Sequence, residues 1–295
     1  MFIKKLLKKN NFIKTVYLKL RHNLFIYINV FKAIYYKLIG QKVLFSYYAH
    51  VNNFGDLFNN DLISYFNVKL IYTKDYKKSQ ASLVGSILGM YPRDFNGFVL
   101  GSGFILERYI RKNNNWKILL IRGPLSAKQC EPNGDFIFGD PAILASLVFK
   151  DIYIKKYRLG IIPHSRDYDD FKFSFDEEVL IINPKRNALL VAKDIMQCKH
   201  IASSSLHGLI FADSYCIPNI HLKLGDKVIG GFHKFDDYYM GMGLVKSPMP
   251  LIYNGFLNTN KIIESCKHNF SERTINDKQQ EIIKVYEYFF EINNN

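Results

Sequence analysis

The stretch "HIASSSLHGLIFADSYCIPNI", residues 200–220, contains two apolar runs. The segment between them contains three serines, a histidine and a glycine. This spacing predicts a strand, a loop over 203–205 and a helix whose first turn contains His207. The backbone N–H groups and the dipole at such a helix start attract an anion, and serine hydroxyls add hydrogen-bond donors. His207 is therefore a candidate donor or proton-transfer group, and a structural histidine with a satisfied hydrogen bond is the alternative.

The same order of strand, loop and helix recurs along the chain. A first set contains "KVLFSYYA", "GFVLGSGF", "WKILLIRGPLSAKQC" and "FIFGDPAILASLV", and a second contains "YRLGIIPHSRDYDD" and "EVLIINPKRNALLVAKDIMQ". This alternation predicts the α/β class, with two Rossmann-like domains facing each other across a cleft. We expect a leader at 1–42, an N-terminal domain at 43–150, a C-terminal domain at 151–254 and a helical segment with a closing helix at 255–295.

Positive charge is concentrated at the start of the chain. Residues 1–42 contain ten Lys and Arg side chains and no Asp or Glu, so they carry +10 of the net +14. Their apolar spacing predicts a basic amphipathic helix, which typically lies on an anionic membrane surface. The alternatives are a helix that caps the fold with a solvated basic face, and a nucleic-acid-binding arm. No nucleic-acid-binding module follows, so we expect no nucleic-acid partner.

Neither a secretory signal nor a membrane span is predicted. The apolar run "LFIYINVF" is short, is broken by Asn29 and lacks a small-residue cleavage site. No apolar run approaches the roughly 18 residues that a spanning helix needs. The four cysteines are far apart and form no C-x-x-C pair, so they predict reduced thiols without a zinc site or disulfide framework. We expect a cytoplasmic protein, peripheral on the inner face of the cell membrane.

Several polar residues follow predicted strands in the first half. Asp56 follows Gly55 in "NNFGDLFNNDL", where it can cap the next helix or point toward a ligand. Arg122 ends the apolar strand before "GPLS", and a buried guanidinium is costly unless it meets an anion, so we expect a phosphate or carboxylate clamp. An interdomain salt bridge is the alternative for Arg122. Asp140 before Pro141 predicts an ordinary helix entry.

Taken in order, "NNFGDLFNND", "GSG", "IRGPLS", "GDPA", "IIPH" and "SSSLHGLIFADSYCIP" resemble the polysaccharide pyruvyltransferase family over residues 45–240. This resemblance implies a GT-B-type enzyme that transfers a pyruvyl group from phosphoenolpyruvate to two hydroxyls of a sugar. The products are a pyruvate ketal and phosphate, and no metal or redox cofactor is required. The glycan acceptor is expected in a surface polysaccharide or its lipid-linked precursor.

The resemblance implies that Arg122, His207 and a lysine bind phosphoenolpyruvate, and the chemistry of the two substrates suggests roles for the other residues. His207 is expected to transfer a proton, with Asp56 as a base or sugar ligand. The residues expected to bind phosphoenolpyruvate are Arg122, Ser204, Ser205, Leu206, His207 and Lys227, with Lys234 as a second choice for the lysine. The residues expected to bind the acceptor are Asn53, Asp56, Ser102 and His164.

Two positions depart from the family pattern. Ser205 stands where many relatives have arginine, and Cys216 stands where relatives often have glycine. Two other functions therefore remain open: a GT-B-type glycosyltransferase that uses a nucleotide sugar, and a non-catalytic glycan-assembly protein that keeps the fold.

Overall fold

The computed structural model describes residues 11–47, 53–108, 110–112, 114–169, 177–225, 229–253 and 258–293. Its first half contains α1 (Asn11–Leu38), β1 (Lys42–Tyr47), α2 (Phe54–Tyr65), β2 (Val68–Thr73), β3 (Ala81–Ser82), β4 (Phe98–Leu100), β5 (Lys117–Ile121), α3 (Pro124–Cys130), β6 (Ile137–Phe138) and α4 (Ala145–Val148). Its second half contains β7 (Tyr157–Ile162), β8 (Val179–Ile181), α5 (Ala188–Met196), β9 (Cys198–Ser203), α6 (Leu206–Ser214), β10 (Asn219–Lys223), α7 (His233–Gly241), β11 (Leu251–Ile252), α8 (Thr259–Ser265) and α9 (Glu272–Ile292).

The strands form two parallel sheets. The first has the order β2-β1-β3-β4-β5-β6 and the second the order β11-β10-β9-β7-β8. The strand order reverses direction between β1 and β3 in the first sheet, and between β7 and β9 in the second. Ligands of such sheets bind beyond the carboxyl ends of the strands at these switch points. The prediction of a mixed α/β fold with two parallel sheets is confirmed, and it is consistent with Rossmann-like domains.

One apolar core extends through both halves. It contains Leu44 and Leu120 from the first sheet, Ile162 and Ile201 from the second, and helical side chains from both. The ring of Phe211 in α6 lies edge-on to the rings of Phe54 and Phe58 in α2, at centroid distances of 5.2 and 5.1 Å. The domain boundaries proposed from the sequence stay predictions.

Helix α9 follows the second half in sequence but packs on the first sheet. Its buried stripe contains Ile275, Ile282 and Phe289, at the spacing of an amphipathic helix. The Tyr286 hydroxyl donates a hydrogen bond of 3.0 Å to the Leu100 carbonyl in β4. The helix predicted in the C-terminal segment is therefore present, and its register is set by contacts with the first half.

Local signals explain two helix boundaries. The carboxylate of Asp140 accepts the Ala142 N–H at 3.0 Å, and Pro141 occupies the next position, so the predicted helix entry is confirmed. Cys216 follows the last turn of α6 with φ at +51°, in the left-handed region where glycine is favoured. Glycine, which the family resemblance implies at this position, would adopt this backbone without strain.

Candidate functional site

A pocket of about 170 Å³ lies where the two switch points meet. Engineered protein cavities of about 150 Å³ hold benzene, so there is room for a small molecule. The described residues that line it come from the loops and helices after β1, β3, β4, β7, β9 and β10: Asn53, Asp56, Ser86, Ile87, Met90, Ile105, His164, Ser165, Arg166, Ser205, Leu206, His207, Ile229 and Lys234.

His207 lies in the first turn of α6 against the start of α2. A Cβ atom on Gly55 would stand 1.8 Å from the imidazole Nδ1, so only glycine permits this contact. The ring is buried, and its Nε2 has no hydrogen-bond partner among the described residues. Burial, with the cations Lys234 and Arg122 nearby, lowers the pKa of His207 to about 3. The imidazole is therefore neutral at pH 7 and carries an unused polar atom.

Asp56 lies half-buried in the first turn of α2. The helix has no side-chain cap, so the structure does not place Asp56 in the capping role that its position allowed. Burial raises the pKa of Asp56 to about 7, and the amide of Asn53 and the charge of Lys234 oppose this rise. The Asn53 Nδ2 atom lies 3.5 Å from a carboxylate oxygen of Asp56. The carboxyl group is thus divided between its two protonation states near neutral pH.

Lys234 supplies a buried ammonium group from the first turn of α7. The side chain is 6% exposed and has no hydrogen bond or ion pair with any other described residue. Burial, reinforced by the charge of Arg122, lowers the pKa of Lys234 to about 8. The group is still mainly protonated at pH 7, and an unpaired buried charge of this kind favours an anionic ligand.

The three serines before α6 have different roles. The Ser203 hydroxyl accepts the Ser205 N–H at 3.0 Å and lies close to Gly208, so it shapes the turn. The Ser204 hydroxyl accepts the His164 N–H at 2.7 Å and joins the turns after β7 and β9. Ser205 is the N-cap residue, but its hydroxyl does not cap the helix and the residue lines the pocket.

Arg122 is fully buried next to this pocket, and it is not among the described residues that line it. Its Nε donates to Asp237 at 2.9 Å, one terminal nitrogen donates to Ser86 at 2.6 Å, and the other donates to the Phe104 carbonyl. This geometry is the salt bridge between the two halves that was the alternative for Arg122. Direct contact of Arg122 with phosphoenolpyruvate stays a prediction, and in this arrangement Arg122 acts on the pocket through its charge.

The structure brings together part of the predicted site. Asn53, Asp56, His164, Ser205, Leu206 and His207 line the pocket, and Ser204 lies behind its wall. Ser102 is buried elsewhere, where its hydroxyl lies 2.6 Å from that of Ser82. Lys227 lies outside the described residues, and Lys234, the second choice for the lysine, lines the pocket.

Sequence reasoning missed several lining residues, including Ser86, Ser165 and Arg166. Each follows a strand of one of the two switch points, so the strand-exit rule applied to β3 and β7 could have found them. In the described ranges, no group of three or more His, Cys, Asp or Glu side chains could hold a metal ion. A reaction without a metal or cofactor stays a prediction.

The fold and the site define an α/β protein with two parallel sheets and a pocket at their switch points that is lined by titratable side chains. An uncharacterized protein of Acanthamoeba polyphaga mimivirus is 30% identical in an alignment of 222 residues that covers 68% of this chain and 74% of the viral protein. The chain belongs to the same protein family as this viral relative. No family model matches the chain.

A second relative has a descriptive name. The succinoglycan biosynthesis protein ExoV of Rhizobium meliloti (strain 1021) is 25% identical in an alignment of 173 residues that covers 56% of this chain and 54% of that protein. The chain therefore spans about half the length of ExoV.

Proposed function

We propose that the protein transfers a pyruvyl group from phosphoenolpyruvate to two hydroxyls of a sugar in polysaccharide biosynthesis. The observation that carries the proposal is the unpaired Lys234 ammonium, which shares one pocket with the titratable groups of His207 and Asp56. The motif resemblance to polysaccharide pyruvyltransferases and the similarity to a succinoglycan biosynthesis protein support the choice of reaction and acceptor class.

The donor matches the charges of the pocket. Phosphoenolpyruvate carries a phosphate and a carboxylate, and Lys234 and Arg166 supply cations on the pocket wall. The first turn of α6 adds backbone N–H groups and the positive end of the helix dipole. We assign the phosphate to Lys234 and the start of α6, because a phosphate accepts from several converging donors at once.

Proton transfer is the main chemical requirement. One proton adds to C3 of phosphoenolpyruvate and one sugar oxygen bonds to C2 as it loses its proton. The second sugar oxygen then bonds to C2 while the bond from C2 to the phosphate oxygen breaks, and phosphate leaves with a proton. Two hydroxyl protons thus end on the new methyl group and on phosphate.

His207 and Asp56 are suited to these steps. Burial is the main cause of the low pKa of His207, and the cations Lys234 and Arg122 lower it further. A bound dianion would offset the charge of these cations and so favour proton uptake by His207. Asp56, with a pKa of about 7, can accept a hydroxyl proton and return it near neutral pH. We propose His207 as the proton donor to C3 and Asp56 as the base.

The acceptor sugar belongs on the side of Asn53, Asp56 and His164, whose polar groups match sugar hydroxyls. The two sheets then act as the halves of a GT-B-like protein, with the reacting molecules held between them. Ser102 is dropped from this acceptor set because it is buried against Ser82.

The test is incubation with phosphoenolpyruvate and a panel of sugar acceptors, with phosphate release and the mass of the ketal as readouts. We expect His207→Ala to lower turnover by about 100-fold or more while the protein stays folded. The matched control is His268→Ala at an exposed histidine, which should keep full activity. Absence of turnover with every acceptor, together with no thermal protection by phosphoenolpyruvate, would refute the proposal.

The same experiment separates the alternatives. Protection by a nucleotide sugar and not by phosphoenolpyruvate would indicate a glycosyltransferase. Protection by phosphoenolpyruvate without turnover, unchanged by His207→Ala, would indicate a non-catalytic protein.

A further inference from the structure

Helix α1 contacts the rest of the protein through one narrow stripe. Among the helix side chains that the structure describes, at residue 20 and from residue 23 onward, the buried or half-buried ones are Phe25, Asn29, Ala33 and Tyr36, three or four positions apart. This spacing places them on one face of the helix, which rests on β1 and β2. Most of the helix circumference therefore faces away from the fold.

The opposite face of α1 is apolar. Leu20, Tyr27, Phe31, Ile34 and Leu38 are between 51% and 81% exposed. Their spacing of seven, four, three and four residues aligns them along one stripe, which we call the outer stripe. Single exposed apolar side chains are common, but an aligned series of this length marks an interaction surface.

Basic residues flank the outer stripe on both sides. At about 100° per residue, Lys32 and Lys37 lie roughly 130° and roughly 90° from the centre of the stripe, in opposite directions. The sequence repeats these positions, because Lys14 and Arg21 stand five and three helical turns before Lys32, and Lys19 stands five turns before Lys37. Lys32 and Lys37 are both exposed, so each can extend past the apolar stripe.

We propose that α1 lies flat on an anionic lipid bilayer, with the outer stripe in the acyl boundary and the flanking basic side chains at the headgroups. Residues 1–42 contain no acidic side chain, so their charge is complementary to a surface of negative lipids. A second copy of the chain fits less well, because pairing two outer stripes would bring the same positive charges together.

This placement is independent of the proposed reaction. If that reaction also holds, a bilayer contact would keep the pocket close to lipid-linked acceptors. The contact itself requires only the apolar stripe and its basic flanks.

The test is flotation of the full chain with vesicles of phosphatidylcholine plus phosphatidylglycerol, and with vesicles of phosphatidylcholine alone. We expect flotation only with the anionic vesicles, and weaker flotation at high salt. Lys32→Glu with Lys37→Glu should weaken partitioning by about tenfold or more. Tyr27→Ser with Phe31→Ser and Leu38→Ser should weaken it similarly, without unfolding, since these side chains are exposed.

Matched controls remove similar groups elsewhere. Ile152→Ser with Ile154→Ser deletes exposed apolar side chains, and Lys246→Glu with Lys261→Glu reverses exposed charges. Both controls should float as the unmodified chain does. Absence of flotation, or flotation unchanged by the outer-stripe variant, would overturn the proposal. A dimer in light scattering that the outer-stripe variant dissociates, with no flotation, would assign the surface to a second copy instead.

Discussion

At the scale of single residues, the buried ammonium of Lys234 is a cost to the folded protein. Removal of a charged group from water is unfavourable, and among the described residues this ammonium has no hydrogen bond or ion pair, only the face of the Phe235 ring 5.3 Å away. Its folded pKa of about 8 lies below the ordinary value of 10.5, so folding disfavours its protonated form. Asp56 and Asp167 offset part of this cost through their charge, and a bound anionic ligand would compensate the remainder.

We predict that Lys234→Met stabilises the free protein by about 3 kcal/mol near pH 7. Below pH 8, Lys234 is protonated in both the folded and the unfolded protein, so the full cost of burying its charge opposes folding. Between pH 8 and 10.5 the folded state binds fewer protons than the unfolded state, so native stability rises with pH and the advantage of the variant shrinks. Chemical denaturation at several pH values measures this, with the exposed Lys246→Met as a control that should change little.

The same variant should bind inorganic phosphate at least about tenfold more weakly near pH 7. In the unmodified protein, phosphate affinity should fall as the pH rises past 8, because the ammonium loses its proton. Asp56 is ionised above its pKa of about 7, and its negative charge repels phosphate and lowers the phosphate affinity further. Equal phosphate affinity of Lys234→Met and the unmodified chain would show that the anion does not bind at Lys234.

Residues directly after strands were the most predictable part of the site. Asp56, His164 and His207 were found because a parallel sheet presents its strand exits at one edge. The position of Lys234 depends instead on the packing of α7, where a Cβ on Gly241 would stand 2.2 Å from the Arg122 carbonyl oxygen. Arg122 likewise pairs with a carboxylate 115 positions away, and no local pattern contains that information.

At the scale of elements, the site depends on how closely the first turns of α2 and α6 approach. Gly55 in α2 faces the His207 imidazole across a gap that has no room for a Cβ atom. The sequence predicted a tight turn at Gly55 and a helix start at His207, but not that the two would touch. Helix starts carry partial positive charge, so two of them at one pocket also reinforce its preference for anions.

We predict that Gly55→Ala displaces His207 and lowers the free energy of unfolding by about 1–3 kcal/mol, the usual cost of overpacking. The increase in melting temperature that phosphoenolpyruvate produces should also be smaller in this variant, because His207 is displaced. Gly225→Ala is the matched control, because no atom of the described residues, apart from its chain neighbours, lies within 4 Å of its added Cβ. The double variant Gly55→Ala with His207→Ala should recover most of the stability but not turnover. Additive losses in the double variant would contradict a direct contact.

At the scale of the whole molecule, alternation of strands and helices was sufficient to predict the class of fold but not how its halves are joined. Apolar patterning shows which face of each element is buried, and it does not show against which partner. The structure joins the halves by a continuous core and by the buried pair of Arg122 and Asp237. Because the two halves share this core and this salt bridge, we expect both sheets to unfold cooperatively.

We predict one thermal transition for the whole chain, and Phe211→Ala is the sharpest test because its ring joins α6 to both Phe54 and Phe58. Truncation of this fully buried ring should cost about 3–5 kcal/mol. Hydrogen exchange should then accelerate to a similar extent in β1 and β9, which belong to different sheets. A second variant, Phe104→Ala, removes a ring from a core cluster whose described residues all belong to the first half. If the two halves unfold together, this variant should also accelerate hydrogen exchange in β9. Separate transitions, or exchange that changes only in the mutated half, would instead show that the halves unfold independently.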